Sequence, residues 1–122
     1  MPVLDQLSTV VLDCADPVAL AAFYQQATGW ELSYSDQNFA SLGAGDKAPG
    51  LAFVRVDGYR APQWPEGAKY QHLDFTVADL DAAVEALLAL GASRPDTQPG
   101  KGQWVVLTDP EGHPFCLCPA TN

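Results

Sequence analysis

Basic residues are scarce in this chain: six Lys and Arg stand against fifteen Asp and Glu among 122 residues, a formal net charge of -9. The six (Lys47, Arg55, Arg60, Lys69, Arg94 and Lys101) are scattered, so no basic patch is available to nucleic acid or to an anionic membrane surface. Long hydrophobic runs are also missing, and none approaches the roughly 18 residues that span a bilayer. The start, Met1-Pro2-Val3-Leu4-Asp5, lacks the basic region and apolar stretch of a secretory signal. A cytoplasmic location is therefore expected. Cysteine is limited to Cys14, Cys116 and Cys118, which cannot all pair within one chain. Cys116 and Cys118 lie two apart on an expected strand, with Cα atoms roughly 6.5 to 7 Å apart, a poor disulfide geometry, so reduced thiols are expected. Charged residues make up 17% and apolar residues 48%, a balance that excludes a disordered chain and suits one domain with a packed core.

What is present is a repeat. The order strand, Asp, amphipathic helix, Gly occurs twice, about 63 residues apart, each time followed by short apolar strands among Gly and Pro. The first copy runs from Thr9-Val10-Val11-Leu12-Asp13-Cys14-Ala15 through Asp16-Pro17 to a helix ending near Gly29. The second runs from His72-Leu73-Asp74-Phe75-Thr76-Val77-Ala78 through Asp79 to a helix ending at Gly91. In each, the Asp side chain can cap the helix, and in the first Pro17 takes the opening position, where a missing N–H costs nothing. Leu20, Phe23, Tyr24 and Ala27 form one apolar stripe, and Leu80, Val84, Leu87 and Leu88 the other. Strands are expected at Trp30 to Ser35, Asn38 to Leu42, Leu51 to Val56, Trp104 to Thr108 and Pro114 to Cys118, with a weaker one near Ala92 to Arg94. The domain, 1–122, thus divides into a first β-α-β-β-β module at about 8–56, a linker at 57–69 and a second module at about 70–118. Two such modules imply a shared concave seam, where ligands tend to lie.

Alternation along the strands separates residues for packing from residues for chemistry. Leu73, Phe75 and Val77 face the second helix, leaving Tyr70, His72, Asp74 and Thr76 on the cavity side. The repeat offset puts Val10, Leu12 and Cys14 toward the first helix and Thr9, Val11 and Asp13 toward the cavity. On the last strand Phe115 and Leu117 point to the helix, and Cys116 and Cys118 to the cavity. His72 is a hydrogen-bonding group, a general base or a structural histidine bonded to Asp74 or Thr9. Asp13 and Asp74 are an acid/base set or carboxylates satisfied at strand ends. Cys116 is a nucleophile or a small buried hydrophobe. His113, in the turn Asp109-Pro110-Glu111-Gly112-His113, is expected to face water and is given no role. The linker carries Tyr59, Arg60 and Trp64, with Tyr70 beside it: rings for stacking a flat ligand, while Arg55 and Arg60 could clamp a carboxylate or phosphate.

The segments Val11-Leu12-Asp13-Cys14-Ala15-Asp16-Pro17, Phe23-Tyr24, Gly29-Trp30, His72-Leu73-Asp74-Phe75, Asp79-Leu80-Asp81 and Asp109-Pro110-Glu111-Gly112-His113-Pro114-Phe115, in doubled order, resemble the vicinal oxygen chelate superfamily. Within it the chain is most similar to the glyoxalase/bleomycin resistance protein/dioxygenase branch. The resemblance implies an α+β fold of two tandem βαβββ modules, whose half-barrel sheets surround a shared cavity, often in a homodimer. It also implies where a divalent metal would sit in metal-dependent members, on the first and last strand of each module. Those positions here are Thr9 and His72, and Ala52 or Val54 and Cys116. His72 alone is a strong ligand, with Cys116 available as thiolate, whereas enediolate or dioxygen chemistry needs about three nitrogen or oxygen donors. The family's metal is therefore not expected, although a site recruiting Asp13 or Asp74 with His72 remains an alternative.

The function expected is binding of a small organic ligand, such as an aromatic natural product, without a catalytic metal. Thr9, Asp13, His72, Asp74 and Cys116 would contact it from the strands, and Tyr59, Trp64 and Arg55 from around the linker. The alternative is an enzyme (lyase, isomerase or dioxygenase) with His72 as metal ligand or base and Asp13 or Asp74 assisting, so the sequence leaves open whether the protein is catalytic. A structural or partner-binding module would instead need a large apolar exterior patch, which the acidic, scattered pattern does not favour.

Overall fold

A computed structural model describes residues 3, 7–47, 49–67 and 71–120. The chain divides into two compact units, residues 1–59 and 60–122. The first unit follows the order β1 (Thr9–Cys14), α1 (Pro17–Thr28), β2 (Glu31–Ser35), β3 (Phe39–Gly43) and β4 (Gly50–Arg55). The second contains β5 (Leu73–Val77), α2 (Leu80–Leu90), β6 (Val105–Thr108) and β7 (Pro114–Pro119). The weak strand expected near Ala92 to Arg94 is reduced to a single antiparallel bridge between Ser93 and Thr108.

Capping chemistry sets both helices. The Asp16 carboxylate accepts from the Ala19 N–H at 3.2 Å and Pro17 opens α1; the Asp79 carboxylate accepts from the Ala82 N–H at 3.1 Å. Gly29 and Gly91 end the helices in the left-handed region, with φ of 75° and 116°, which a Cβ would disfavour. The buried stripe of α1 is Leu20, Ala21, Phe23 and Tyr24, and that of α2 is Val84 and Leu87. Two residues depart from the expected stripes: Ala27 is exposed and Leu88 is 40% exposed. Ala27 lies on the stripe but in the last turn of α1, while Leu88 lies at the margin of its arc, where a turn of 100° per residue carries the side chain past the edge of a narrow sheet.

The first sheet has the order β1-β4-β3-β2, with β1 parallel to β4 and the other pairs antiparallel. Leu12, Phe53 and Ala40 lie in one cross-strand row and Leu51 and Leu42 in another, all buried. These rows face α1, since the Phe53 ring stacks on Tyr24 with centroids 5.5 Å apart. The opposite face holds Thr9, Val11 and Asp13 on β1, as alternation predicts, and all three are exposed. The second sheet has the order β5-β7-β6, with β5 parallel to β7. Phe115 and Leu117 are buried toward the core, and Phe75 meets Phe115 edge-on at 6.0 Å.

Candidate functional site

In the second unit the parallel register sets Asp74 directly opposite Cys116, and Thr76 opposite Cys118. Because β7 lies between β5 and β6, Cys116 is held by strands on both sides, with Val106 as its other neighbour. His72 stands two residues before Asp74, just ahead of β5, and its Nε2 lies 3.3 Å from Asp74 Oδ1. One nitrogen, one carboxylate oxygen and one sulfur, from His72, Asp74 and Cys116, all lie within 4.8 Å of one another. The first two side chains are exposed and Cys116 is buried, so the cluster opens to one side.

Burial raises the Cys116 thiol from its usual 9.0 to about 11, and the neighbouring Asp74 charge adds to the effect. The group is therefore a neutral thiol near pH 7 and a poor nucleophile, as the reading of Cys116 as a small buried residue anticipates. Alkylation of Cys116 by iodoacetamide at pH 8 should run about ten- to a hundredfold slower than that of an ordinary thiol, allowing for the higher intrinsic nucleophilicity of a basic thiolate. The rate should climb as pH passes 9 and continue rising toward 11. Timed quenching and peptide mass spectrometry measure it, and modification as fast as that of free cysteine would contradict this reading. None of Cys14, Cys116 and Cys118 forms a disulfide.

The first unit offers a different surface. Across its exposed face run Val11, Ala52, Ser41 and Tyr34 in one register row, and Asp13, Val54 and Phe39 in the next. Val11, Tyr34 and Phe39 are 47%, 53% and 37% exposed, much apolar surface for one small sheet face. Tyr34 and Phe39 form a tilted ring pair 6.2 Å apart. The Tyr34 hydroxyl donates to Asp36, which draws that carboxyl below its usual range and holds the phenol proton more tightly than usual. At the end of the same sheet a groove of about 300 Å³ is lined by Ser8, Thr9, Ser33 and Ser41 and by the turn Gly43 to Gly45. Gly50, which also lines it, lies so close to the Leu42 carbonyl that a Cβ there would sit 2.4 Å from the oxygen.

Of the residues singled out from sequence, His72, Asp74 and Cys116 come together, while Thr9 lines the groove and Asp13 lies four residues further along β1. Arg55 pairs with Asp57 at 3.2 Å at the surface. Trp64 donates its indole N–H to the Thr97 carbonyl at 2.9 Å, which ties it to the loop before β6. Tyr59 belongs to the first unit and Arg60 to the second, so the stacking surface assigned to the linker is divided between them. Tyr70 lies outside the described residues. Ser33, Tyr34, Phe39 and Ser41 were not anticipated. The register between β2 and β3 shifts between Leu32 and Tyr34, and that bulge is what turns the Ser33 hydroxyl onto Ser41, 2.8 Å away. Strand alternation applied to β2 and β3 identifies Phe39 and Ser41 but not the bulge.

His113 corrects the expectation of a solvent-facing side chain. Its ring is only 12% exposed and its Nδ1 lies 2.7 Å from Asp109 Oδ2, whose carboxylate is fully buried. The same carboxylate accepts from the backbone N–H of Glu111 and of His113. The turn closes around the acid and draws the ring onto it, leaving the ring mostly buried.

A helix followed by three short strands, with polar groups on the sheet face away from the helix, is an arrangement that many proteins share. The deciding observation is that a glyoxalase-like domain family matches residues 9–118, nearly the whole chain. The chain belongs to the glyoxalase-like domain family. Among solved structures, this glyoxalase-like chain is similar to a glyoxalase/bleomycin resistance protein/dioxygenase family enzyme from Burkholderia phytofirmans (24% identity over 96% of this chain and 100% of that one, TM-score 0.74). It is similar to the bleomycin-binding protein of Streptomyces verticillus, solved with copper(II)-bleomycin (20% identity, 98% and 100% coverage, TM-score 0.62). It is similar as well to a fosfomycin resistance protein of Listeria monocytogenes, solved with Mn(II) and a dihydroxypropylphosphonic acid (21% identity, 98% and 95% coverage, TM-score 0.72). At these identities the likeness is one of fold. No curated protein sequence matches the chain. Among the described residues no helix is long and apolar enough to cross a membrane.

The family includes metal-dependent members, and the donors present here can be tested against that use. The first-unit counterparts of the Asp74–Cys116 pair are Val11 and Ala52, matched in the same parallel register, and the counterpart of His72 is Thr9. Two hydrocarbons and a hydroxyl do not serve a hard cation such as Mn(II), which favours several oxygen donors, and the second unit adds a sulfur where such an ion prefers oxygen. The residues do not fit the hard-metal role.

Proposed function

We propose that this glyoxalase-like protein binds a small organic molecule, in the manner of a glyoxalase/bleomycin-resistance protein, without a hard catalytic metal. The observation that carries the reading is the exposed apolar side chains on one face of the first sheet, Val11, Tyr34 and Phe39, interspersed with the polar Thr9, Asp13 and Ser41. Such a face offers stacking and dispersion to a planar ligand and hydrogen bonds at its edge, the usual division of labour in small-molecule sites. Sequestration of an aromatic natural product is the concrete form. Within the second unit His72, Asp74 and Cys116, with Trp64, are candidate ligand contacts in their own right, and Tyr59 and Arg55 are candidates within the first. A homodimer and a cytoplasmic location complete it.

The test is calorimetric titration with copper(II)-bleomycin and a panel of planar heteroaromatic compounds. At least one should bind, and Tyr34→Ala and Phe39→Ala should each weaken it by about fivefold, the equivalent of about 1 kcal/mol per ring. A panel without a binder, or affinity unchanged in both variants, would overturn the reading. A second reading, an enzyme with His72 as base, draws on the 3.3 Å approach of His72 to Asp74. It would be recognised by turnover of a panel compound that His72→Ala abolishes.

A further inference from the structure

We propose that the groove at the end of the first sheet receives an uncharged polyhydroxyl group, of the sugar type, carried by a planar ligand that lies on Tyr34 and Phe39. The inference rests on the reading of that sheet face as a binding surface, and it names the class of molecule: an aromatic compound conjugated to a neutral polyol.

Alternation along β3 turns Ala40 and Leu42 to the core and sets Phe39, Ser41 and Gly43 on the exposed face. Gly43 stands where a side chain would project outward, and a Cβ there would meet nothing within 4 Å. Gly50 lies beside it, the Gly43 Cα being 3.5 Å from the place a Gly50 Cβ would take, so neither strand fills the groove. Its volume of about 300 Å³ is at the lower end of small-molecule sites, room for a substituent rather than a whole ligand. Ser41 joins the groove to the rings, because it lines the groove, lies opposite Tyr34 and stands two residues from Phe39 on the same face. A molecule stacked on the two rings therefore has the groove at one end. Among the described residues that line it, Ser8, Thr9, Ser33 and Ser41 are the polar ones and none is ionisable. A phosphate or carboxylate would lose hydration there with no cation to replace it, in a protein of net charge -9, and an ammonium would find no carboxylate. Hydroxyls both donate and accept, which suits a partner that does the same. The Ser33 Oγ lies 2.8 Å from Ser41 Oγ and 3.1 Å from the Ser41 carbonyl oxygen, so this part of the lining is set before a ligand arrives and costs little to order.

The experiment is calorimetric titration of the full chain with matched probes: methylumbelliferone, its β-glucoside and its phosphate ester. The glucoside should bind about tenfold more tightly than the parent, the worth of one or two added hydrogen bonds, and the phosphate more weakly than the parent. Gly43→Val, whose side chain enters the groove from a position with room for it, should bring the ratio of glucoside to parent affinity down to about one. Thr9→Val keeps the shape, removes a hydroxyl and should lower that ratio about threefold. Tyr34→Ala should weaken glucoside and parent by the same factor. A glucoside that does not bind or binds no more tightly than the parent, a phosphate bound more tightly than the glucoside, or a ratio untouched by both Gly43→Val and Thr9→Val would each overturn the inference. A parent compound that binds while its glucoside gains nothing refutes this inference alone, whereas a heteroaromatic panel without a binder refutes the reading on which it rests.

Discussion

Asp109→Ala is expected to lower stability by about 3 to 5 kcal/mol, measured as a shift in the urea midpoint by circular dichroism. The carboxylate is fully buried and accepts from three donors: the Glu111 N–H at 2.9 Å, the His113 N–H at 3.0 Å and His113 Nδ1 at 2.7 Å. Alanine removes the acceptor and leaves these donors facing a cavity, the costly half of the hydrogen-bond ledger. Asp109→Asn should cost less, about 1 to 2 kcal/mol, because its amide oxygen still serves the backbone groups. An alanine variant within 1 kcal/mol of the native chain would show that the turn finds other partners. The turn leads directly into β7, where Cys116 lies, so this buried acid also holds the strand that carries the cluster. Its effect on the site is one of positioning.

Phe53→Ala should be comparably severe, about 3 to 5 kcal/mol by the same measurement. The ring is fully buried, stacked on Tyr24, and Tyr24 in turn meets Phe23 edge-on with centroids 4.9 Å apart. β4 lies between β1 and β3, so the cavity opens in the middle of the first sheet, where collapse of neighbours is hardest. Tyr34→Ala on the opposite face provides the contrast. That ring is 53% exposed, and its loss should cost less than about 1 kcal/mol of stability while reducing ligand affinity. If the two variants proved equally destabilising, the division of the sheet into a packing face and a binding face would be wrong. The contrast separates residues kept for folding from residues available for function.

How much of this was legible follows from how local each cause is. Helix ends were legible because caps are written within four residues: Asp16 with Ala19, Asp79 with Ala82, and glycines where φ turns positive. Strand faces were legible because alternation needs only the next residue, and Thr9, Val11 and Asp13 fall as it requires. His113 was misread, since the turn's polar composition suggests water, whereas the backbone folds the ring onto its own buried acid. Leu88 was misread because a helical stripe says which residues share a face, not how wide the sheet beneath it is.

The sequence by itself determined the α+β order of elements, their caps, the inward and outward side of most strands, and membership of the glyoxalase-like family. It also determined that the two repeats differ in chemistry, with Thr9 standing where His72 stands and Ala52 or Val54 where Cys116 stands, and the parallel register selects Ala52. Only the tertiary structure decided that His72, Asp74 and Cys116 meet within 4.8 Å, and that a bulge in β2 turns Ser33 toward Ser41. The physical reason is register. Which residue of β5 lies opposite which residue of β7 depends on pairing strands separated by a helix and another strand, and a shift of one residue would carry Cys116 to the other face of the sheet. Local preferences specify each strand, and long-range packing brings their side chains together.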